Sequence, residues 1–349
     1  MILHICGVEG QGFFNPYVKL LTDKVSLNEH KFLLIGNEND KLEKNIQYLN
    51  TPFCSLFLSL LNKSDKIIVH NLFNPRLVLL LYICRKHLEK MYWVVWGGDL
   101  YSYRYVGKGL INGVIEHMRK VIIPRFKGVC TLVKGDYDLA KKVYGIKGGF
   151  YPAIYVLEKK QVRELKEKSK GEHTNSSVHI LLGNSATENN CHMEAFELLK
   201  QYKNENIKII CPLSYGNKEY AKKVCKKGKD IFGDKFNPLF DYMPYSEYAQ
   251  ILAQSDVGVF YNDRQQGLGN IYSMLLLGKK LYLREGTSMW QQLVDEDGFS
   301  LYSLGNIEGM SLETFREFNI QTREKNQQIC AWKNSEEHFF ELWEKIFNG

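Results

Sequence analysis

None of the eight cysteines falls at the Cys-x-x-Cys spacing of a zinc site or a redox pair. Cys6, Cys54, Cys84, Cys130, Cys191, Cys211, Cys225 and Cys330 are scattered, several of them inside apolar runs. They read as free thiols of a reducing compartment, not as disulfides. Long apolar runs are also missing. The longest, Leu77 to Cys84, falls far short of the ~20 residues that cross a bilayer. The chain opens directly on the strand-like Met1-Ile2-Leu3-His4-Ile5, without the basic and apolar stretches of a secretory signal. These absences point to a cytoplasmic protein whose membrane contact, if any, is peripheral.

What is present is ordinary in bulk and specific in detail. The 349 residues suffice for about two domains, each with its own core. Hydrophobic residues make up 44% and charged residues 24%, as in a soluble globular protein. A net charge of +7 favours an anionic partner and leaves open nucleic acid, anionic lipid or a phosphorylated substrate. Basic residues concentrate only in Tyr101 to Lys127, where Arg104, Lys108, Arg119, Lys120, Arg125 and Lys127 face the single acid Glu116. Tyr101, Tyr103, Tyr105, Ile111, Val114, Ile115 and Met118 interleave with them. Such a segment suits an anionic membrane surface, or a helix packed on its own domain with a solvated basic face.

Short apolar strands alternate with helical segments. Strands are expected at Ile2–Cys6, Lys31–Ile35, Lys66–His70, Tyr92–Trp96 and Gly128–Val133, with a helix led by Pro75. After a charged stretch, 158–177, read as a linker, the rhythm restarts at Val178–Leu182, Ile207–Cys211, Val257–Tyr261 and Lys280–Leu283. The expected fold class is α/β: two Rossmann-like parallel-sheet domains, 1–157 and 178–326, facing across a cleft. Gln327 to Phe347 reads as one terminal helix burying an aromatic face and packing back on the first domain.

Ligands of parallel sheets bind beyond the strands' carboxyl ends, so four loops matter. His70-Asn71-Leu72-Phe73-Asn74-Pro75 and Trp96-Gly97-Gly98-Asp99-Leu100-Tyr101 belong to the first half, Gly183-Asn184-Ser185-Ala186-Thr187-Glu188-Asn189-Asn190 and Arg264-Gln265-Gln266-Gly267-Leu268-Gly269-Asn270 to the second. Strand, glycine loop, helix and strand at 257–283 form a phosphate-binding arrangement, or a tight turn only. Gly183-Asn184-Ser185 offers a glycine, a hydroxyl and free amides to a pyrophosphate; alternatively Ser185 or Thr187 caps a helix. Arg264 is the cation for a diphosphate leaving group, or a partner of Asp263 or Asp256. Asp99 is read as an exposed carboxylate serving as base, or as a cap. His70 is a second candidate base, or a hydrogen-bonded structural residue. Tyr215 and Tyr242 are candidates to stack on a nucleobase. The sequence is read as lacking the Asp-x-Asp motif that holds a divalent metal on a nucleotide diphosphate, so no metal and no cofactor is expected.

Phe73-Asn74-Pro75, Trp96-Gly97-Gly98-Asp99-Leu100-Tyr101, Leu182-Gly183-Asn184-Ser185, Arg264-Gln265-Gln266-Gly267-Leu268-Gly269 and Trp290-Gln291 together resemble glycosyltransferase family 56. These are the TDP-N-acetylfucosamine:lipid II N-acetylfucosaminyltransferases of enterobacterial common antigen assembly. The resemblance implies a GT-B fold and a metal-independent transferase. Its donor would be a TDP-sugar and its acceptor an oligosaccharide on undecaprenyl diphosphate, at the cytoplasmic face of the inner membrane; nucleic acid is not among the partners. By the resemblance, Gly183, Asn184, Ser185, Arg264, Gln265, Gln266, Gly267, Gly269 and Asn270 are donor-side residues. Asp99, with His70, Asn74, Trp96, Gly98 and Tyr101, lies on the acceptor side. The family carries Gly-Ala-Asp at 97–99 and differs over 186–190, so O-antigen or capsule synthesis is an equal expectation. Many GT-B enzymes place a glutamate for the ribose diol where this chain has Met274, an expectation that favours a 2′-deoxyribose donor. The competing readings are a non-catalytic nucleotide-sugar-binding scaffold and a nucleotide-sugar epimerase, which needs paired carboxylates.

Overall fold

The computed structural model describes residues 1–7, 11–36, 44–105, 109–169 and 177–349. Lys108 of the basic segment and residues 170–176 of the expected linker lie outside them. The chain divides into two units, Met1–Val156 with Glu336–Gly349, and Leu157–Ser335.

The first unit is built on a seven-stranded sheet in the order β3-β2-β1-β4-β5-β6-β7. Its strands are β1 (Ile2–Gly7), β2 (His30–Ile35), β3 (Ile46–Leu49), β4 (Lys66–His70), β5 (Met91–Val95), β6 (Gly128–Thr131) and β7 (Gly149–Pro152). Every pairing is parallel. The central strands are apolar along their whole length because both faces are covered; all five residues of β5 are buried. Helices α1 (Gln11–Thr22), α2 (Ser55–Lys63), α3 (Pro75–Ile83), α4 (Leu110–Ile122) and α5 (Lys134–Tyr144) make the crossovers. One core lies under α2, α3 and α4, and another lies under α1 and the last helix of the chain.

The second unit has six parallel strands in the order β10-β9-β8-β11-β12-β13. They are β8 (Val178–Leu182), β9 (Ile207–Pro212), β10 (Phe236–Leu239), β11 (Val257–Phe260), β12 (Lys280–Leu283) and β13 (Tyr302–Ser303). Its helices include α6 (Lys159–Ser169), α7 (His192–Leu199), α8 (Lys218–Phe232), α9 (Tyr245–Gln254) and α10 (Leu268–Leu276). The charged stretch expected as a linker is thus largely α6, which buries Leu165 and packs on α9.

The single terminal helix expected from Gln327 is two helices, Ile320–Lys333 and Glu336–Asn348. The break falls at Asn334, whose side-chain amide turns back to the Cys330 carbonyl. The second of them docks on the first unit through Trp343, whose indole donates to the Ile154 carbonyl at 3.0 Å. Lys66 caps its end, reaching the carbonyls of Ile346 and Phe347 at 2.7 Å each.

Candidate functional site

In the second unit the chain runs from β8 outward to β9 and β10 on one side, and from β11 outward to β12 and β13 on the other. Strands β8 and β11 are neighbours, so a crevice opens beyond their carboxyl ends. Gly183, Asn184 and Ser185 follow β8; residues 261–267 follow β11 and lead into α10.

The two loops are laced together through Asn190. Its Oδ1 accepts from the Asn184 amide at 3.0 Å and from Asn262 Nδ2 at 3.1 Å. Its Nδ2 donates to Ser185 Oγ at 3.1 Å and to Thr187 Oγ1 at 2.9 Å. Gln266 Nε2 reaches the same two hydroxyls from the other loop, at 2.8 and 2.9 Å. The glycines are what allow this approach. Gly183 has φ +65°, and a Cβ there would lie 2.7 Å from Asn190 Oδ1. Gly267 has φ +74°, and a Cβ would press on the Asn184 side chain at 3.0 Å. Asn184 in turn donates to the Tyr215 hydroxyl at 2.6 Å.

Gly267 also begins α10 in a left-handed conformation and gives it no side-chain cap. The first-turn amides of that helix and its dipole are therefore directed at whatever occupies the crevice. Gly269, exposed and with open space about it, stands in that turn. Arg264 is half-buried, with Nη1 on the Gln265 carbonyl at 2.9 Å. Burial of its hydroxyl end raises the Tyr215 phenol, opposed by hydrogen bonds to Asn184 and Ser185 and then by the Arg264 charge, while the residue as a whole stays exposed. Gln265 is buried; Asn270 donates to the Tyr248 hydroxyl at 2.7 Å.

The structure brings together Gly183, Asn184, Ser185, Gln266 and Gly267, and corrects two details. The Asn184 amide is not free but taken by Asn190, and neither Ser185 nor Thr187 caps a helix, because a turn at Glu188–Asn190 precedes α7. Met274 does not face the crevice. It is fully buried, with its sulfur against the backbone of Gly258 in β11. The missing glutamate therefore says nothing about a ribose diol, and the case for a deoxyribose from that position falls. The sequence reading assigned no role to Asn190 or to His192. His192 is fully buried, lies 3.3 Å from the Tyr220 hydroxyl, and its Nε2 abuts Gly183. Burial takes its pKa down to about 4. The paired Asn189-Asn190 after a glycine-polar loop was the only visible signal.

In the first unit the strand order reverses between β1 and β4. Beyond β4 and β5 stand the loops that hold Asp99. Expected as an exposed base, Asp99 is instead fully buried. Its Oδ2 accepts from Trp93 Nε1 at 2.8 Å and the Leu72 amide at 3.0 Å. Its Oδ1 accepts from the amides of Trp96 and Leu100 at 3.0 and 3.1 Å. Burial pushes this carboxyl up; the Trp93 indole, the two amides of Leu72 and Trp96 and the Arg119 guanidinium oppose that rise. Every lone pair is committed to fixing the two loops, so Asp99 is a buried strut.

His70 is likewise buried, between Tyr155 OH at 2.5 Å from Nδ1 and His4 at 3.3 Å from Nε2, and burial lowers its pKa to about 3. A row of three histidines continues from His4 to His30 at 3.0 Å. Asn74 caps α3 through the amides of Arg76 and Leu77, Gly98 packs under the Phe73 ring, and Tyr101 donates to Asp136 at 3.1 Å. Trp96 stays partly open, its indole on Tyr155 OH at 3.0 Å. Phe13, 60% exposed and passed over in the sequence, stands edge-on to it with ring centroids 5.6 Å apart. Asp-x-Asp pairs do occur outside the four loops, at Asp136/Asp138 and Asp295/Asp297. Asp136 serves Tyr101, and Asp297 pairs with Lys333 at 2.6 Å.

Solved structures share this architecture. Sucrose-phosphate synthase from Thermosynechococcus elongatus superposes with a TM-score of 0.68 at 10% identity, covering 100% of this chain and 99% of that one. Trehalose-6-phosphate synthase from Burkholderia multivorans gives 0.66 at 8% identity over 98% and 97%. WaaG, a glycosyltransferase of lipopolysaccharide biosynthesis, gives 0.60 at 9% over 99% and 98%. These likenesses establish the fold, two Rossmann-like domains of the GT-B class. The model of the 4-alpha-L-fucosyltransferase family, glycosyl transferase group 56, matches residues 13–347, and the chain is a glycosyltransferase belonging to that family.

Proposed function

We propose that the protein transfers a deoxyamino sugar of the N-acetylfucosamine type from a TDP-sugar to an oligosaccharide on undecaprenyl diphosphate, in bacterial surface polysaccharide synthesis. The carrying observation is the loop pair around Asn190 and Gln266, which aims two glycine turns and the N-terminus of α10 into one crevice at the β8–β11 switch point. That arrangement suits a diphosphate, whose charge the helix dipole, first-turn amides and Arg264 would neutralise as the bond to the sugar breaks. Tyr215 and Tyr242, both exposed at loops after β9 and β10, are the stacking surfaces for a nucleobase. Family membership supports the sugar and the lipid-linked acceptor, and the resemblance supports a reaction that needs no metal. The exposed Phe13 and half-open Trp96 offer an apolar face to an acceptor sugar ring.

The deciding experiment is calorimetry of TDP, UDP and GDP binding, with and without magnesium, followed by transfer to a synthetic lipid-linked acceptor. Selective, magnesium-independent TDP binding is expected. Preference for UDP or GDP refutes the donor, and no nucleotide binding refutes the site.

A further inference from the structure

Helices α3 and α4 cover one face of the first sheet side by side, and His117 of α4 lies against Tyr82 of α3 with ring centroids 6.5 Å apart. Their outward surfaces carry large apolar side chains left exposed. Leu110 is 91% exposed, Ile111 75%, Val114 59% and, on α3, Ile83 65%, with Leu79 exposed one turn before it. Spacing aligns them. Arg76, Leu79 and Ile83 follow one another at three- and four-residue steps along α3, and Lys86 stands exposed on the turn after it, so the apolar stripe has a cation near each end. On α4, Leu110, Val114, His117 and Lys120 repeat the pattern, apolar first and basic last.

Cations outnumber acids around this patch, where the one exposed acid on the turn after α3, Glu89, is paired with Arg125 at 3.3 Å. Neither helix carries an exposed acid: Glu116 is buried, 3.4 Å from Arg119, which is itself buried on the Leu72 carbonyl. Arg119 therefore belongs to the interior, and the outward cations are Arg76, Lys86, Lys120 and Lys127. Both helices run back against parallel strands, so their N-terminal ends lie at the sheet's carboxyl edge. Leu110 and Ile111, the first residues of α4, stand at the same edge as Trp96.

We infer that the α3–α4 face docks on an anionic lipid bilayer, with Leu79, Ile83, Leu110, Ile111 and Val114 entering the acyl boundary and Arg76, Lys86 and Lys120 on the headgroups. A soluble apolar partner would not call for cations at both ends of the stripe, whereas an anionic headgroup layer over hydrocarbon matches both chemistries at once. This docking rests on the lipid-linked acceptor proposed above and places the carboxyl edge of the first sheet against the surface from which that acceptor projects.

The test is co-sedimentation of the full chain with vesicles of phosphatidylcholine, with and without phosphatidylglycerol. Wild type sediments with the anionic vesicles and not with the neutral ones. The double substitution Ile111→Ser/Val114→Ser weakens partition at least about tenfold, and Lys86→Gln/Lys120→Gln weakens it about fivefold per charge. The first unit's urea unfolding midpoint, followed by tryptophan fluorescence on the same preparations, stays at the wild-type value and certifies the fold. Wild type left in the supernatant, equal binding to neutral vesicles, or variants that sediment as wild type would each overturn the inference. So would conversion of a dimer to a monomer by Ile111→Ser/Val114→Ser, which assigns the face to a second copy. Transfer to a short-chain, water-soluble acceptor separates the two claims. If that transfer persists without vesicle binding, the docking face alone fails; if vesicle binding persists without transfer to any acceptor, the acceptor reading alone fails.

Discussion

Replacing Asp99 by asparagine separates a strut from a base. The carboxylate accepts four hydrogen bonds, two on each oxygen, in a fully buried position. A carboxamide keeps one accepting oxygen and turns an NH₂ toward the other two donors. Whichever way the amide lies, two buried N–H groups lose their acceptor, at about 1–3 kcal/mol each, so about 2–6 kcal/mol in all. Against a domain stability of about 5–15 kcal/mol, that is a large fraction. The first unit of Asp99→Asn should therefore unfold at a distinctly lower urea concentration, followed by tryptophan fluorescence, since Trp93 and Trp96 bracket the site. Nucleotide binding, which the proposed site assigns to the second unit, should stay at its native value. A base behaves oppositely: its amide variant folds like wild type and loses turnover by about 10²–10⁴. An Asp99→Asn protein with native urea resistance and abolished transfer would refute the strut.

Four further outcomes follow from the geometry. Gly183→Ala, strained at φ +65° and driven into Asn190, should weaken nucleotide binding at least about tenfold by calorimetry while leaving the first unit's unfolding unchanged. Gln266→Ala removes the amide that ties Ser185 and Thr187 to the β11 loop and should raise the donor KM more than it lowers kcat. Arg264→Ala should lower turnover more than donor affinity, because its interaction strengthens as charge builds on the leaving diphosphate; unchanged turnover removes that role. His70 and His4 are buried neutral, with folded pKa values below the usual 6.5 and His70 down to about 3. Below pH 6.5 the unfolded chain binds protons that the folded chain refuses. Stability is therefore full above that pH and falls beneath it, by up to about 1.4 kcal/mol per pH unit for each histidine. His70→Gln should flatten the pH dependence of the first unit's unfolding midpoint.

How much of this was legible in the chain follows from where each signal resides. Short all-apolar runs bounded by glycine mark strands covered on both faces, and β1, β4, β5, β8, β9, β11 and β12 stood out for that reason. The strands missed are edge strands, β3, β7, β10 and β13, where exposed or half-exposed residues break the run: Gln47, Tyr151 and Asn237 dilute the pattern. The glycine loops of the second unit were legible because their conformations demand glycine, whatever the ligand.

Exposure was not legible, and it decides roles. A carboxylate after two glycines at a strand end looks the same in sequence whether it faces a ligand or collects four buried donors. The donors that bury Asp99 come from Leu72 and Trp93 as well as its own turn, and only the fold brings those together. The same holds for Met274: counting positions from the glycine loop places it at a ribose, but α10 turns it toward Gly258, whose missing side chain makes room for the sulfur. Depth along α10 and burial, not a count from the glycine loop, decide which of its residues can meet a ligand. Asn270, one turn nearer the helix N-terminus and half-exposed with its amide on Tyr248, is our candidate for the place beside a bound ribose. Discrimination between ribose and deoxyribose is then to be sought at Asn270 and Tyr248: Asn270→Ala should change the ratio of UDP to TDP affinity, and an unchanged ratio would move the ribose elsewhere.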